Sequence, residues 1–91
     1  MPYTVKLGSP FRRHTNGADS ITSTAADLPE LFSDLESRFP GLTKHLVNES
    51  GDPRPFLNIY VNDEDIRFLG GKAYKFADKD EVLLIPAVAG G

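Results

Sequence analysis

The stretch Phe56-Leu57-Asn58-Ile59-Tyr60-Val61-Asn62 changes side-chain character residue by residue. A two-residue period marks a half-buried strand, with Leu57, Ile59 and Val61 on one face and Phe56, Asn58, Tyr60 and Asn62 on the other. Asp63-Glu64-Asp65 then reads as a polar turn, and Ile66 to Phe76, short, irregular and divided by Gly70-Gly71, as the place of a short fourth strand. After a tight turn at Asp78-Lys79-Asp80, Glu81 to Pro86 forms a last strand, Val82 and Leu84 facing one way and Leu83 and Ile85 the other.

Toward the N-terminus, Tyr3-Thr4-Val5-Lys6-Leu7 has the same period, and Gly8, Ser9 and Pro10 break it. Residues 11–19 are mostly polar and contain the turn dipeptide Asn16-Gly17, so Ser20 to Thr24 reads as the returning strand of a hairpin. Asp27 and Glu30 have capping-box spacing, and Pro29 sits where a helix tolerates proline. Leu28, Leu31, Phe32, Leu35 and Phe39 recur at helical spacing until Pro40-Gly41. Leu42 to Val47 reads as a short further turn, and Asn48 to Pro55 as a loop. A single helix with one apolar stripe must cover one face of the sheet. The expected fold is therefore α+β, a β-grasp with a mixed sheet of four to five strands and one main helix. The domain spans residues 1–86, and a flexible tail spans 87–91.

Composition limits the function. The 91 residues make one domain with a net charge of −3. Its ten basic residues are scattered, and Arg12-Arg13 is too short to be a patch, which argues against a nucleic-acid binder. No run of apolar residues is long enough for a membrane span, and no secretory leader is recognisable, so the expected location is cytoplasmic. The absence of cysteine excludes disulfides, thiolate metal sites and a side-chain persulfide. His14 and His45 stand isolated and read as surface or packing residues, Asp63-Glu64-Asp65 as a solvated turn rather than a metal site, and Gly70-Gly71 as a turn without phosphate-loop spacing.

The order of elements, the run Asn58-Ile59-Tyr60-Val61-Asn62-Asp63-Glu64-Asp65-Ile66-Arg67 and the ending Asp80-Glu81-Val82-Leu83-Leu84-Ile85-Pro86-Ala87-Val88-Ala89-Gly90-Gly91 resemble the ThiS/MoaD family of ubiquitin-like sulfur carriers. Within that family the likeness is to CysO-type carriers of cysteine biosynthesis. It lies in the Val-Asn-Asp-Glu-Asp turn, the Arg-Phe and Gly-Gly that follow, the loop before Phe56 and the Pro-Ala-Val-Ala-Gly-Gly end.

The resemblance implies that the chain is a co-substrate and not an enzyme. An E1-like enzyme adenylates the carboxylate of Gly91 with ATP and converts it to a thiocarboxylate. That group attacks an aminoacrylate on the pyridoxal phosphate of a cysteine synthase, and a metal-dependent peptidase releases the cysteine. The chain itself holds no cofactor and no metal, and its partners include neither nucleic acid nor membrane. Alternatives within this reading are sulfur supply for thiamine or molybdopterin and a ubiquitin-like protein modifier; a plain β-grasp interaction module is a third class.

The tail residues suit such chemistry. Glycine lacks Cβ and can thread a narrow channel, so Ala87, Val88, Ala89 and Gly90 are expected to enter partner active sites ahead of Gly91. Fully extended, these five residues reach about 17 Å. Pro86 cannot donate a ladder hydrogen bond and is expected to end strand pairing. Tyr60, Leu83 and Ile85 fall on the face away from the helix, an apolar cluster expected to dock the activating enzyme.

Overall fold

The computed structural model describes residues 2–86. Five strands form one mixed sheet: β1 (Tyr3–Leu7), β2 (Ser20–Ser23), β3 (Leu57–Val61), β4 (Glu64–Asp65) and β5 (Glu81–Pro86), in the order β2-β1-β5-β3-β4. β5 lies at the centre, parallel to β1 through Val5↔Val82 and Leu7↔Leu84, and antiparallel to β3 through Ile59↔Leu84 and Tyr60↔Leu83. The outer pairs, β1 with β2 and β3 with β4, are antiparallel. This is the expected β-grasp.

The helix α1 (Leu28–Arg38) starts where its cap requires. Asp27 Oδ1 accepts from the Glu30 N–H at 3.1 Å, which satisfies one of the unpaired donors of the first turn. Glu30 reaches back to the Ala26 N–H at 3.2 Å, one residue before the capping-box position. Lys75 binds the other Asp27 oxygen at 2.8 Å, and this bond, followed by the Glu30 N–H, holds the Asp27 carboxyl below the usual range. Leu28, Leu31, Phe32 and Leu35 are buried and belong to one core with Val5, Leu7, Ile59, Val61, Val82 and Leu84. Truncating a side chain as enclosed as Leu31 or Leu35 costs about 2–5 kcal/mol. Phe39 lies just past the helix as its C-cap and is partly buried.

Three local features differ from the sequence expectation. Residues 9–14, read as a strand break running into a mostly polar stretch, form the 3₁₀ turn Ser9–His14, which buries Phe11. The β2 strand stops at Ser23. The hairpin after β3 turns on Asn62-Asp63 alone, at φ 51° and 71°, which leaves Glu64 and Asp65 to pair with Val61 and Tyr60. Two successive left-handed residues match the twist of antiparallel strands, and Asn and Asp tolerate that region better than most residues.

The entrance to β5 is held by Asp80, a buried residue. Its carboxylate accepts from the Ala77 N–H and the Tyr74 hydroxyl, both at 2.8 Å, and from Asn62 Nδ2 at 2.9 Å. Asn62 Oδ1 in turn accepts from the Glu81 N–H at 2.9 Å. Burial alone would raise the Asp80 pKa, but the three hydrogen bonds to its charged form outweigh that and lower it.

Candidate functional site

The central strand β5 delivers Pro86, its last residue, to one end of the sheet, opposite Leu57. The expected tail residues Ala87, Val88, Ala89, Gly90 and Gly91 lie outside the described residues. The Gly8 N–H donates to the Leu84 carbonyl at 2.8 Å, seating the 3₁₀ turn Ser9–His14 against β5. Glycine suits this close approach, since a Cβ there would press on Ile85 Cγ2 at 3.0 Å, the Leu84 carbonyl oxygen at 3.3 Å and Pro86 Cδ at 3.3 Å.

On the sheet face away from the helix, Tyr60 and Leu83 are cross-strand neighbours, and Ile85 pairs with Asn58 one diagonal step along. The strand alternation thus places Tyr60, Leu83 and Ile85 together as expected. All three are half-buried rather than fully open. Lys6, opposite Leu83 in β1, pairs with Glu81 at 3.2 Å and borders the patch with charge.

A second surface surrounds Pro86 itself. A cleft of about 610 Å³ is lined on one side by Pro10, Phe11, Arg13 and His14, and on the other by Lys44, His45, Arg54 and Phe56, with Pro86 at its edge. The two sides are far apart in sequence and meet where His14 stacks on His45, ring centroids 4.3 Å apart. Arg54 Nε donates to the Lys44 carbonyl at 3.0 Å, and the Arg54 N–H to the Leu46 carbonyl at 2.9 Å, which ties the loop to the short turn Thr43–His45. Desolvation, and then the charges of His14, Lys44, Arg54 and Arg13, lower the His45 pKa from its ordinary value.

This corrects the sequence reading at two points. Basic residues that look scattered along the chain converge here in part, and Arg13 shares the cleft with Lys44 and Arg54, far from it in sequence. The two histidines, isolated in sequence, are a stacked pair. Among the described residues Phe56 and Phe68 are exposed large apolar side chains, and the sequence reading gave neither a contact role. Phe56 could have been found, since it shares the outward phase of Tyr60; Phe68, 79% exposed in a 3₁₀ turn, has no periodic signal. In the acidic turn Asp65 is taken by Arg67, whose backbone N–H donates to Oδ1 at 2.9 Å. Among the described residues no three His, Cys, Asp or Glu gather as metal ligands, and no helix is long and apolar enough to cross a membrane.

Comparison with known proteins agrees with this architecture. The chain is 44% identical over 93 residues to the sulfur carrier protein CysO of Mycobacterium tuberculosis, covering all of both chains. It is 33% identical over 66 residues to small archaeal modifier protein 3 of Haloferax volcanii, covering 72% of this chain and 71% of that protein. A chain in the crystal structure of the Amycolatopsis orientalis BexX/CysO complex superposes with a TM-score of 0.88 at 42% identity, over 98% of this chain and 99% of that one. The ThiS family model matches residues 7–91, from the end of β1 through the tail, and the chain belongs to the ThiS family.

Proposed function

We propose that this chain is a sulfur carrier whose working group is the C-terminal carboxylate of Gly91. The observation that carries the reading is the end-to-end identity of 44% with the sulfur carrier CysO. The Gly90-Gly91 ending and a central strand that finishes at Pro86 agree with it.

A carboxylate is a poor acyl donor. An E1-like enzyme transfers AMP from ATP to the Gly91 carboxylate, releasing pyrophosphate. Sulfide sulfur then displaces AMP to leave a thiocarboxylate. The sulfur attacks an aminoacrylate held by pyridoxal phosphate on a cysteine synthase, a sulfur-to-nitrogen acyl shift leaves cysteine in amide linkage to Gly91, and a metal-dependent peptidase hydrolyses that amide. ATP, pyridoxal phosphate and metal all belong to partners, and this chain is their co-substrate. Tyr60, Leu83 and Ile85 dock the activating enzyme while Ala87 to Gly91 occupy its active site. That a chain 42% identical to this one occurs in a structure of a BexX/CysO complex supports docking to a protein partner.

Intact mass measured after incubation with ATP, a sulfide donor and the E1-like enzyme tests this. Replacement of one carboxylate oxygen by sulfur adds about 16 Da to an otherwise unmodified terminus. An unchanged mass counts against the reading. The identity of 33% with an archaeal modifier protein favours one second reading, attachment of Gly91 to lysines of other proteins. A ladder of larger conjugates would reveal it.

A further inference from the structure

We propose that the basic cleft at the root of the tail docks on an acidic rim around the channel of the enzyme that adenylates Gly91. Arg13, Lys44 and Arg54 supply its charge and Phe56 its apolar contact. The inference rests on the carrier reading and adds the chemistry of the partner surface.

Charge is the first argument. The whole chain carries −3, yet the described residues lining this cleft include three permanent cations and two imidazoles and no carboxylate. Five other cations, Lys6, Arg38, Arg67, Lys72 and Lys75, are engaged in ion pairs among the described residues; Arg13, Lys44 and Arg54 take part in none of these. Glu36, near Lys44, instead caps the Gly41 N–H and the Thr43 hydroxyl. Glu36 and Glu49 share an adjoining cleft with Lys44 and Arg54, so carboxylates flank the basic surface on one side only, and an external acidic surface facing Arg13, Lys44 and Arg54 complements the charge that remains.

Position is the second. Pro86 lines the same cleft and is the residue from which the tail departs. The tail reaches about 17 Å at most, so an enzyme that encloses Gly91 must bring the mouth of its channel against this surface. The third is composition and order. Phe56 is 46% exposed beside Arg13 and Arg54, and aromatic and Arg side chains are the enriched residues of interface cores. The His14–His45 stack joins the two sides of the cleft and the Arg54-to-Lys44 hydrogen bond braces one of them before any partner arrives, which limits the ordering cost of docking. Three cations on an acidic chain are too few for a phosphate backbone.

The test is steady-state thiocarboxylation by the E1-like enzyme, with the carrier as varied substrate. Lys44→Glu, Arg13→Glu and the double variant are compared with Lys79→Glu, an equal charge change at the turn before β5, the end opposite Pro86. Arg13 and Lys44 are exposed, and circular dichroism checks that each variant folds; Arg13→Gln with Lys44→Gln provides a milder pair. The double reversal is expected to lower kcat/KM at least about tenfold at low ionic strength, through KM, as steering predicts. The loss should shrink at about 1 M salt, where the screening length is ~3 Å, and Lys79→Glu should change kcat/KM less than about twofold. Equal effects of Lys44→Glu and Lys79→Glu, or no effect of the double variant, overturn the proposal. So does loss of single-stranded RNA binding in the double variant with kcat/KM intact. If the wild-type chain gains no sulfur at all, the carrier reading itself has failed, and the docking inference falls with it.

Discussion

The imidazole of His14 lies on that of His45, their planes 25° apart and their centroids 4.3 Å apart, and this contact joins the two sides of the basic cleft. It has a measurable cost at low pH. Desolvation chiefly, then the neighbouring positive groups, depress the His45 pKa in the folded state. An unfolded histidine titrates near ~6.5. Below that value the unfolded chain takes up a proton that folded His45 resists, so stability is full above ~6.5 and falls as pH drops toward the folded pKa. Proton NMR titration should place His45 below the ordinary value, and His14→Gln should move it back upward. A His45 midpoint at or above ~6.5, or one indifferent to His14, contradicts this account.

Asp80 sets a second, more acidic dependence. Its folded pKa is lowered, so its contribution is present above the unfolded value of ~3.9 and is lost as pH falls through the folded one. Asp80→Ala removes the acceptor of three hydrogen bonds at a buried position and is expected to cost about 2–4 kcal/mol near neutral pH. Urea unfolding of the two proteins should show that difference narrowing in acid.

Gly8→Ala probes how the root of the tail is built. The added methyl would press on Ile85 and on the Leu84 carbonyl, and the second of these is backbone in the middle of the sheet. Overpacking of this kind costs about 1–3 kcal/mol. The melting temperature should fall, and amide shifts should move at Ile85 and in the Ser9–His14 turn. A variant as stable as wild type would mean that the turn can retreat from β5 without loss.

Leu83→Asp tests the sheet face independently of the cleft. Leu83 is half-buried beside Tyr60, and a carboxylate there would be desolvated by any apolar partner surface. We expect the KM for the carrier in adenylation to rise about tenfold or more, corresponding to a loss of at least about 1.4 kcal/mol, with the far-ultraviolet circular dichroism unchanged. An unaltered KM in a folded variant would remove Tyr60, Leu83 and Ile85 from the docking surface.

Much of the fold was legible in the chain because it is local. The alternation of Leu57, Ile59 and Val61, the stripe from Leu28 to Leu35 and the Asp27 cap are all set by side-chain period and by neighbours within a turn. The sorting of Tyr60, Leu83 and Ile85 away from the core follows from the same period. The short fourth strand was expected after the Asp63-Glu64-Asp65 turn but lies within it, at Glu64–Asp65, and 3₁₀ turns follow, because its pairing depends on two left-handed residues, Asn62 and Asp63, whose backbone angles no hydrophobic pattern reports.

The sequence by itself determined the order of the helix and the main strands and the apolar face of each, because these depend on residue type and spacing. Only the tertiary structure decided that Arg13, His14, Lys44, His45 and Arg54 share one surface beside Pro86. Their proximity arises from Gly8 seating one turn against β5 and from a loop folded back by Arg54, contacts between residues that no period or spacing along the chain connects.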